Sequence, residues 1–156
     1  MDHERWMREA LSEARAAAQA GDVPVGAVVV WRDRIIGRGR NRREALGDPT
    51  AHAEILALRE AARSLGGWRL FGATLYCTLE PCCMCAGAIV NARVDTLVYA
   101  LRDPKAGAAG SVYDLVRSPW FNHQVRVIWG VLEKDVQCLM QAFFRRLRED
   151  DPRQVD

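Results

Sequence analysis

A chain of 156 residues, 49% hydrophobic and 27% charged, has the size and composition of one globular domain able to bury a core without disulfides. A net charge of +2 points to neither a basic nucleic-acid arm nor an acidic solvating tail, and no apolar run approaches the ~18 residues of a membrane span. Five cysteines, three of them within residues 82–85, do not form a disulfide framework; a reducing compartment and a metal explain them better, so the cytoplasm is the expected location. The single domain is expected over residues 1–150, with 151–156 as a flexible C-terminal tail.

Residues 2–20 place Met7, Leu11, Ala14 and Ala18 at helical spacing, with Asp2 as cap and Trp6 widening the apolar face. Gly21-Asp22 ends this helix, and Pro24 blocks its extension. Residues 25–31 are nearly continuous apolar β-formers, as in a buried strand. Arg32-Asp33 makes a tight turn, and residues 34–39 return as the second strand of a hairpin. Gly37 and Gly39 form a lone G-x-G with no phosphate-binding helix behind it, and they read as hairpin geometry.

A polar loop over 41–48 leads to a helix that starts at Asp48-Pro49-Thr50 and runs to residue 64, where Gly66-Gly67 breaks it. A strand follows over 73–79, then a helix opened by Pro81 and running to 91, then a strand over 96–101. Residues 103–124 form a long connection with a short helix at 113–116. A strand over 125–131 and a helix over 133–148 complete the chain. A connection of that length permits a parallel crossover, whereas a hairpin needs only a few residues. The order predicts an α/β protein with one mixed sheet flanked by helices.

Two short segments carry the chemistry: His52-Ala53-Glu54 and Pro81-Cys82-Cys83-Met84-Cys85. One imidazole and two thiols suit zinc, and three protein ligands leave the fourth tetrahedral position open to water, as catalytic sites do. Cys82 and Cys85, three apart at a helix start, share a face, and a helix N-terminus favours the thiolate form. Cys83 lies about 100° round the helix and reads as packing. Glu54 is placed to reach the activated water and shuttle its protons. A lone C-x-x-C is more often a structural half-site or a redox pair. A structural site, however, wants a second Cys/His pair, and Cys77, Cys138, His3 and His123 are poorly placed to supply one.

Charge is unevenly spread. Arg32, Arg34, Arg38, Arg40, Arg42 and Arg43 fall within twelve positions, and Arg145, Arg146 and Arg148 close the last helix. Such clusters fit a phosphate-binding surface, and equally a solvated hairpin and helix end.

The H-x-E…P-C-x-x-C arrangement resembles the zinc-dependent cytidine/deoxycytidylate deaminase superfamily, whose known signature it matches. The resemblance to the bacterial tRNA adenosine deaminases is closer and covers nearly the whole chain. It rests on Val23-Pro24-Val25-Gly26-Ala27-Val28, on Asp48-Pro49-Thr50 leading into His52-Ala53-Glu54-Ile55, and on Thr78-Leu79-Glu80-Pro81-Cys82. More particular to these enzymes are Asp103-Pro104-Lys105-Ala106-Gly107-Ala108-Ala109-Gly110-Ser111 and the Asn122-His123 pair.

That resemblance implies a cytidine-deaminase-like three-layer fold, with a mixed five-stranded sheet and the two metal helices meeting across its centre. It implies one zinc ion per subunit, held by His52, Cys82 and Cys85, with Glu54 as proton shuttle. The implied reaction converts the wobble adenosine of an arginine tRNA anticodon to inosine. Asn41 would hydrogen-bond the flipped nucleoside, Asp103 and Lys105 would contact neighbouring sugars or phosphates, and Phe144 would belong to a tail helix approaching the loop. The partner would be the tRNA anticodon stem-loop, with no DNA and no membrane, and the enzyme would be a homodimer. The residues by themselves also fit plainer roles: Asn41 as a turn residue, Asp103 as a strand-end cap and Phe144 as a core aromatic. Arg40, Arg42-Arg43-Glu44 and Cys83 depart from the family pattern without touching the ligands.

Two rivals remain at this level. One keeps the chemistry but acts on a free base or nucleoside of guanine or cytosine type. The other is a zinc-stabilised RNA-binding subunit without catalysis, against which the presence of Glu54 argues.

Overall fold

The computed structural model describes residues 2–151, so the expected tail lies, from residue 152 on, outside them. Helix α1 (His3–Gln19) is capped by Asp2, whose carboxylate accepts the Arg5 amide at 3.1 Å, and it buries Trp6, Met7, Ala10, Leu11, Ala14 and Ala17 along one stripe. Strands β1 (Gly26–Trp31) and β2 (Arg34–Arg40) form the expected hairpin. Its two turn residues, Arg32 and Asp33, both take positive φ (48° and 61°), the pattern of the turn that matches strand twist. A β-bulge interrupts the pairing between Val29 and Val30.

The remaining elements are α2 (Arg43–Leu46), α3 (Ala53–Leu65), β3 (Thr74–Leu79), α4 (Cys83–Asn91), β4 (Thr96–Leu101), β5 (Arg126–Trp129) and α5 (Glu133–Glu149). The sheet order is β2-β1-β3-β4-β5; β1 is antiparallel to both neighbours, and β3, β4 and β5 run parallel. This is the expected mixed five-stranded sheet with its parallel crossovers.

Strand alternation sorts the core into two layers. Ala27, Val29, Leu75, Cys77, Leu97 and Tyr99 pack with Ala53, Ala57 and Leu58 of α3 and with Ala86, Ile89 and Val90 of α4. Val28, Val30, Tyr76, Val98 and Ala100 face the other way, onto Trp6, Met7 and Leu11 of α1 and Val136 of α5. Gly37 and Gly39 have a purpose beyond the hairpin. A Cβ at either would collide with the α3 backbone at Ala57 and Ala53, so these glycines let α3 settle directly on the β2 edge.

Three expectations change. The 41–48 loop contains α2, a single turn closed by Gly47 in the left-handed conformation. Helix α3 begins at Ala53 rather than at Asp48-Pro49-Thr50, because the Asp48 carboxylate accepts the Thr50 amide and hydroxyl in a local turn of its own. No helix forms at 113–116, where Asp114 instead bridges to Ala109. Among the described residues no helix is long and apolar enough to cross a membrane.

Candidate active site and metal centre

Helices α3 and α4 bring their N-termini together near the carboxyl end of β3. His52 and Cys82 are each the residue just before a first helical turn, with extended backbones (φ −77°, ψ 150° and φ −74°, ψ −180°). They therefore sit one position outside the turns in which they were expected. Neither side chain caps its own helix, so both are left to turn toward one another. Cys85 follows from the first turn of α4, and Glu54 from the first turn of α3.

The His52 Nδ1 atom lies 3.4 Å from the Cys85 Sγ and 3.7 Å from the Cys82 Sγ, and the three donor atoms fall within 4.8 Å of one another. Tetrahedral zinc, about 2.3 Å from sulfur and 2.0–2.1 Å from nitrogen, sets an N···S separation of about 3.5 Å. The donor set therefore fits a metal ion of that kind.

The electrostatics agree. The Cys85 thiol and the His52 ring both donate to Cys82, which holds its thiol down at about 3. The same contact raises His52, and it pushes Cys85 up together with burial. The cluster thus already stabilises one thiolate beside a ring nitrogen and a buried thiol. Glu54 is 4% exposed, and burial raises its carboxyl above the ordinary value. Cys77 is buried in β3 with its thiol raised by the same cause, while Cys83 is exposed rather than packed.

Asn41, at 6% exposure, is clamped in place. Its amide donates to the Val25 carbonyl at 3.1 Å, and its side-chain oxygen accepts the Ala53 amide at 3.1 Å. It thereby ties the end of β2 to the start of α3, one residue from His52.

One residue that the sequence reading left without a role organises the other side of the centre. Glu80, 2% exposed, accepts hydrogen bonds from the amides of Asp103 (3.1 Å), Ala109 (3.0 Å) and Ser111 (3.0 Å) and from the Ser111 hydroxyl. Gly107 passes so close that a Cβ there would strike this carboxylate. The Ala108 amide donates to the Pro81 carbonyl at 2.8 Å, so the 103–111 loop is pinned beside Cys82. The only hint in the sequence was a glutamate at a strand end directly before Pro81-Cys82.

Asp103 caps its own turn, its carboxylate accepting the Lys105 and Ala106 amides at 3.0 and 3.2 Å. Lys105 and Phe144 line one groove of about 780 Å³ with Met140, Gln141, Arg145 and Arg148. No direct contact joins that pair to the metal-type donors among the described residues. Phe144 is 38% exposed and rests edge-on against Phe143, so it is not a core aromatic. His123 is an anchor, its Nε2 lying 2.6 Å from the Val94 carbonyl. Of the hairpin arginines, Arg38 pairs with Glu9 and Glu13, Arg40 with Glu13, and Arg32 stacks on Trp31.

A three-donor centre with a buried acid beside it, carried on the crossover of a mixed sheet, defines a hydrolytic deaminase. The sequence model of MafB19-like deaminases matches residues 1–148. The chain is 49% identical to the tRNA-specific adenosine deaminase of Bacillus subtilis, covering 94% of this chain and 91% of that one. It is 45% identical to the enzyme of that name from Haemophilus influenzae, over 94% and 86%. A solved structure from work on A-to-I editing by tRNA:A34 deaminases superposes with a TM-score of 0.83 at 45% identity, covering 86% of this chain and 98% of that one. A guanine deaminase from Nitrosomonas europaea superposes with a TM-score of 0.74 at 30% identity, over 90% and 83%. The chain belongs to the MafB19-like deaminases and, within them, to the tRNA-specific adenosine deaminases.

Proposed function

We propose that this protein hydrolytically deaminates the wobble adenosine of an arginine tRNA anticodon loop to inosine. The observation that carries the reading is the donor triangle of His52, Cys82 and Cys85 with Glu54 buried beside it. These three residues would hold one zinc ion, which when bound supplies Lewis-acid activation of water. Glu54 accepts a proton as water adds to C6 of adenine and delivers it to the ring nitrogen N1. Glu54 then takes the proton of the hydroxyl added at C6 and passes it to the exocyclic nitrogen, and the C6–N6 bond breaks. Ammonia leaves, and the added oxygen remains as the inosine carbonyl. Burial suits Glu54 to this duty, since a carboxyl raised above its ordinary value by desolvation holds a proton more readily than an exposed one.

The Asn41 carboxamide orients the flipped nucleoside. The Asp103–Lys105 turn and the Phe144 groove receive neighbouring nucleotides of the anticodon stem-loop. An anticodon adenosine is already partly unstacked, so extruding it costs less than extrusion from a duplex. The enzyme acts in the cytoplasm, where that tRNA resides, and works as a homodimer. Support for the dimer comes from a mainly apolar depression between α3 and α4, where Ile55, Leu58, Ala62, Ala88 and Ala92 lie beside Trp68 at 53% exposure, with Arg59 and Asn91 also in the lining. Sedimentation should give twice the chain mass; a monomer for both the wild type and Trp68→Arg would remove this part.

The decisive experiment is nucleoside analysis of an arginine tRNA anticodon stem-loop after incubation with zinc-loaded protein, with free adenosine, guanine and cytidine run alongside. Inosine in the RNA alone is expected. Turnover confined to a free base would overturn the RNA reading in favour of the guanine-type alternative.

A further inference from the structure

The close seating of α3 on the edge strand has a charged consequence on the outer flank. Arg38, Arg40 and Arg42, from β2 and the residues after it, converge with Arg59 and Arg63 of α3 on a cleft of about 390 Å³, also lined by Glu13 and Glu60. Five arginines against two glutamates leave the cleft net positive. Glu13 is spent on Arg38 and Arg40, and the Nε of Arg40 is buried with no partner. Arg42, Arg59 and Arg63 are exposed and make no ion pair among the described residues. Arg59 and Arg63, four apart, stand on one helix face roughly 6 Å from each other.

The cleft starts at Arg42, next to Asn41, and follows α3 away from the metal-type centre. At 1.5 Å per residue, Arg63 lies about 16 Å along the helix from His52. This exceeds the reach of one nucleotide in the active site, and the cleft offers no aromatic ring for a base to stack on, with Leu56 its one sizeable apolar side chain among the described residues. Guanidinium forks without bases to read are suited to phosphate oxygens.

We infer that the Arg42–Arg59–Arg63 cleft binds phosphodiesters of the RNA strand leading away from the target nucleotide, as a second contact surface that reads the backbone and not the sequence. The inference rests on the RNA reading above and adds to it a place for the flanking strand.

The test is Arg42→Gln/Arg63→Gln, two exposed positions that line the cleft but not the apolar depression, and whose side chains make no ion pair among the described residues. Binding of the anticodon stem-loop is followed by fluorescence anisotropy across a salt series, with inosine formation measured separately. Two lost phosphate contacts should flatten the log K against log salt slope by about 1.4–1.8 and weaken binding by about tenfold at physiological salt. KM should rise while kcat at saturating RNA holds. Glu60→Lys should act in the opposite sense, tightening binding and steepening the slope, which a merely damaged fold would not do. Wild-type slope and KM in the double variant, with inosine still formed, would overturn the cleft and leave the deaminase reading standing. Altered inorganic phosphate binding with an unchanged RNA slope would also overturn it, leaving a small-anion site only. RNA binding that depends on the cleft but yields no inosine from the wild type would support the cleft and sink the proposed reaction.

Discussion

Glu54 and Glu80 are two carboxylates buried to nearly the same degree, 4% and 2% exposed, each next in sequence to one of the two metal-type motifs or within it. Their surroundings differ. Glu80 is saturated by three backbone amides and a hydroxyl, which commit it to a fixed structural task. Glu54 sits where burial outweighs its donors, so its carboxyl is raised and able to carry a proton. Burial alone therefore does not distinguish a catalytic acid from a structural one; the count of donors does.

That contrast can be broken most forcefully at Glu54. Glu54→Ala should lower single-turnover deamination by at least about 10⁴-fold, or about 5.5 kcal/mol of barrier, with zinc content retained. Near-wild-type turnover would end the assignment. Glu80→Ala should do the reverse, orphaning several buried donors and costing about 3 kcal/mol of stability. For a domain of this size that is roughly a 10 °C fall in Tm. If calorimetry finds an unchanged Tm, the structural role is misassigned.

Asn41→Ala removes the acceptor for the Ala53 amide and should destabilise by about 1 kcal/mol in chemical denaturation. Under the proposed function it should also raise KM for RNA. A stability loss with wild-type KM would confine Asn41 to holding α3.

The smallest effect lies far from the site. His3 Nδ1 sits 2.8 Å from the Tyr76 hydroxyl, and burial, aided by the Arg126 charge, lowers the His3 pKa below 6.5. The unfolded chain then binds the proton first, so stability should fall slightly as pH drops below 6.5 and level off beneath the lowered value. His3→Gln should flatten that slope, and an identical Tm–pH curve would show the contact to be inert.

The chain displays some of this architecture openly. Hydrophobic period placed every strand, and His52, Cys82 and Cys85 stood out as a metal-type donor set in two short motifs, with Glu54 two residues from His52. What stayed hidden depends on distant partners. The donors to Glu80 come from 23, 29 and 31 residues away, with no periodicity to announce them. Residues 113–116 form an irregular loop because the backbone groups of Tyr113, Leu115 and Val116 pair with Gly107, Ala108, Gly110 and Val125 instead of with one another. The purpose of Gly37 and Gly39 is likewise invisible until α3 is laid across them. Arginine clustering was legible, but which arginines were already paired was not, since Glu9 and Glu13 lie on another element.

β2 is an edge of the sheet, with one side of its backbone facing no other strand among the described residues. Such an edge can template strand addition between molecules. Arg34, Arg38 and Arg40 recur along it, and the bulge, in which Ile36 is passed over by the pairing with β1, breaks its regularity. At the other edge β5 is only four residues long, and Arg102 lies over the Trp129 ring at 3.6 Å. The arginines of β2 thus guard the protein against self-association into extended sheets. Replacing them with threonine or valine would first be seen as turbidity on storage, before any change in the chemistry of the centre.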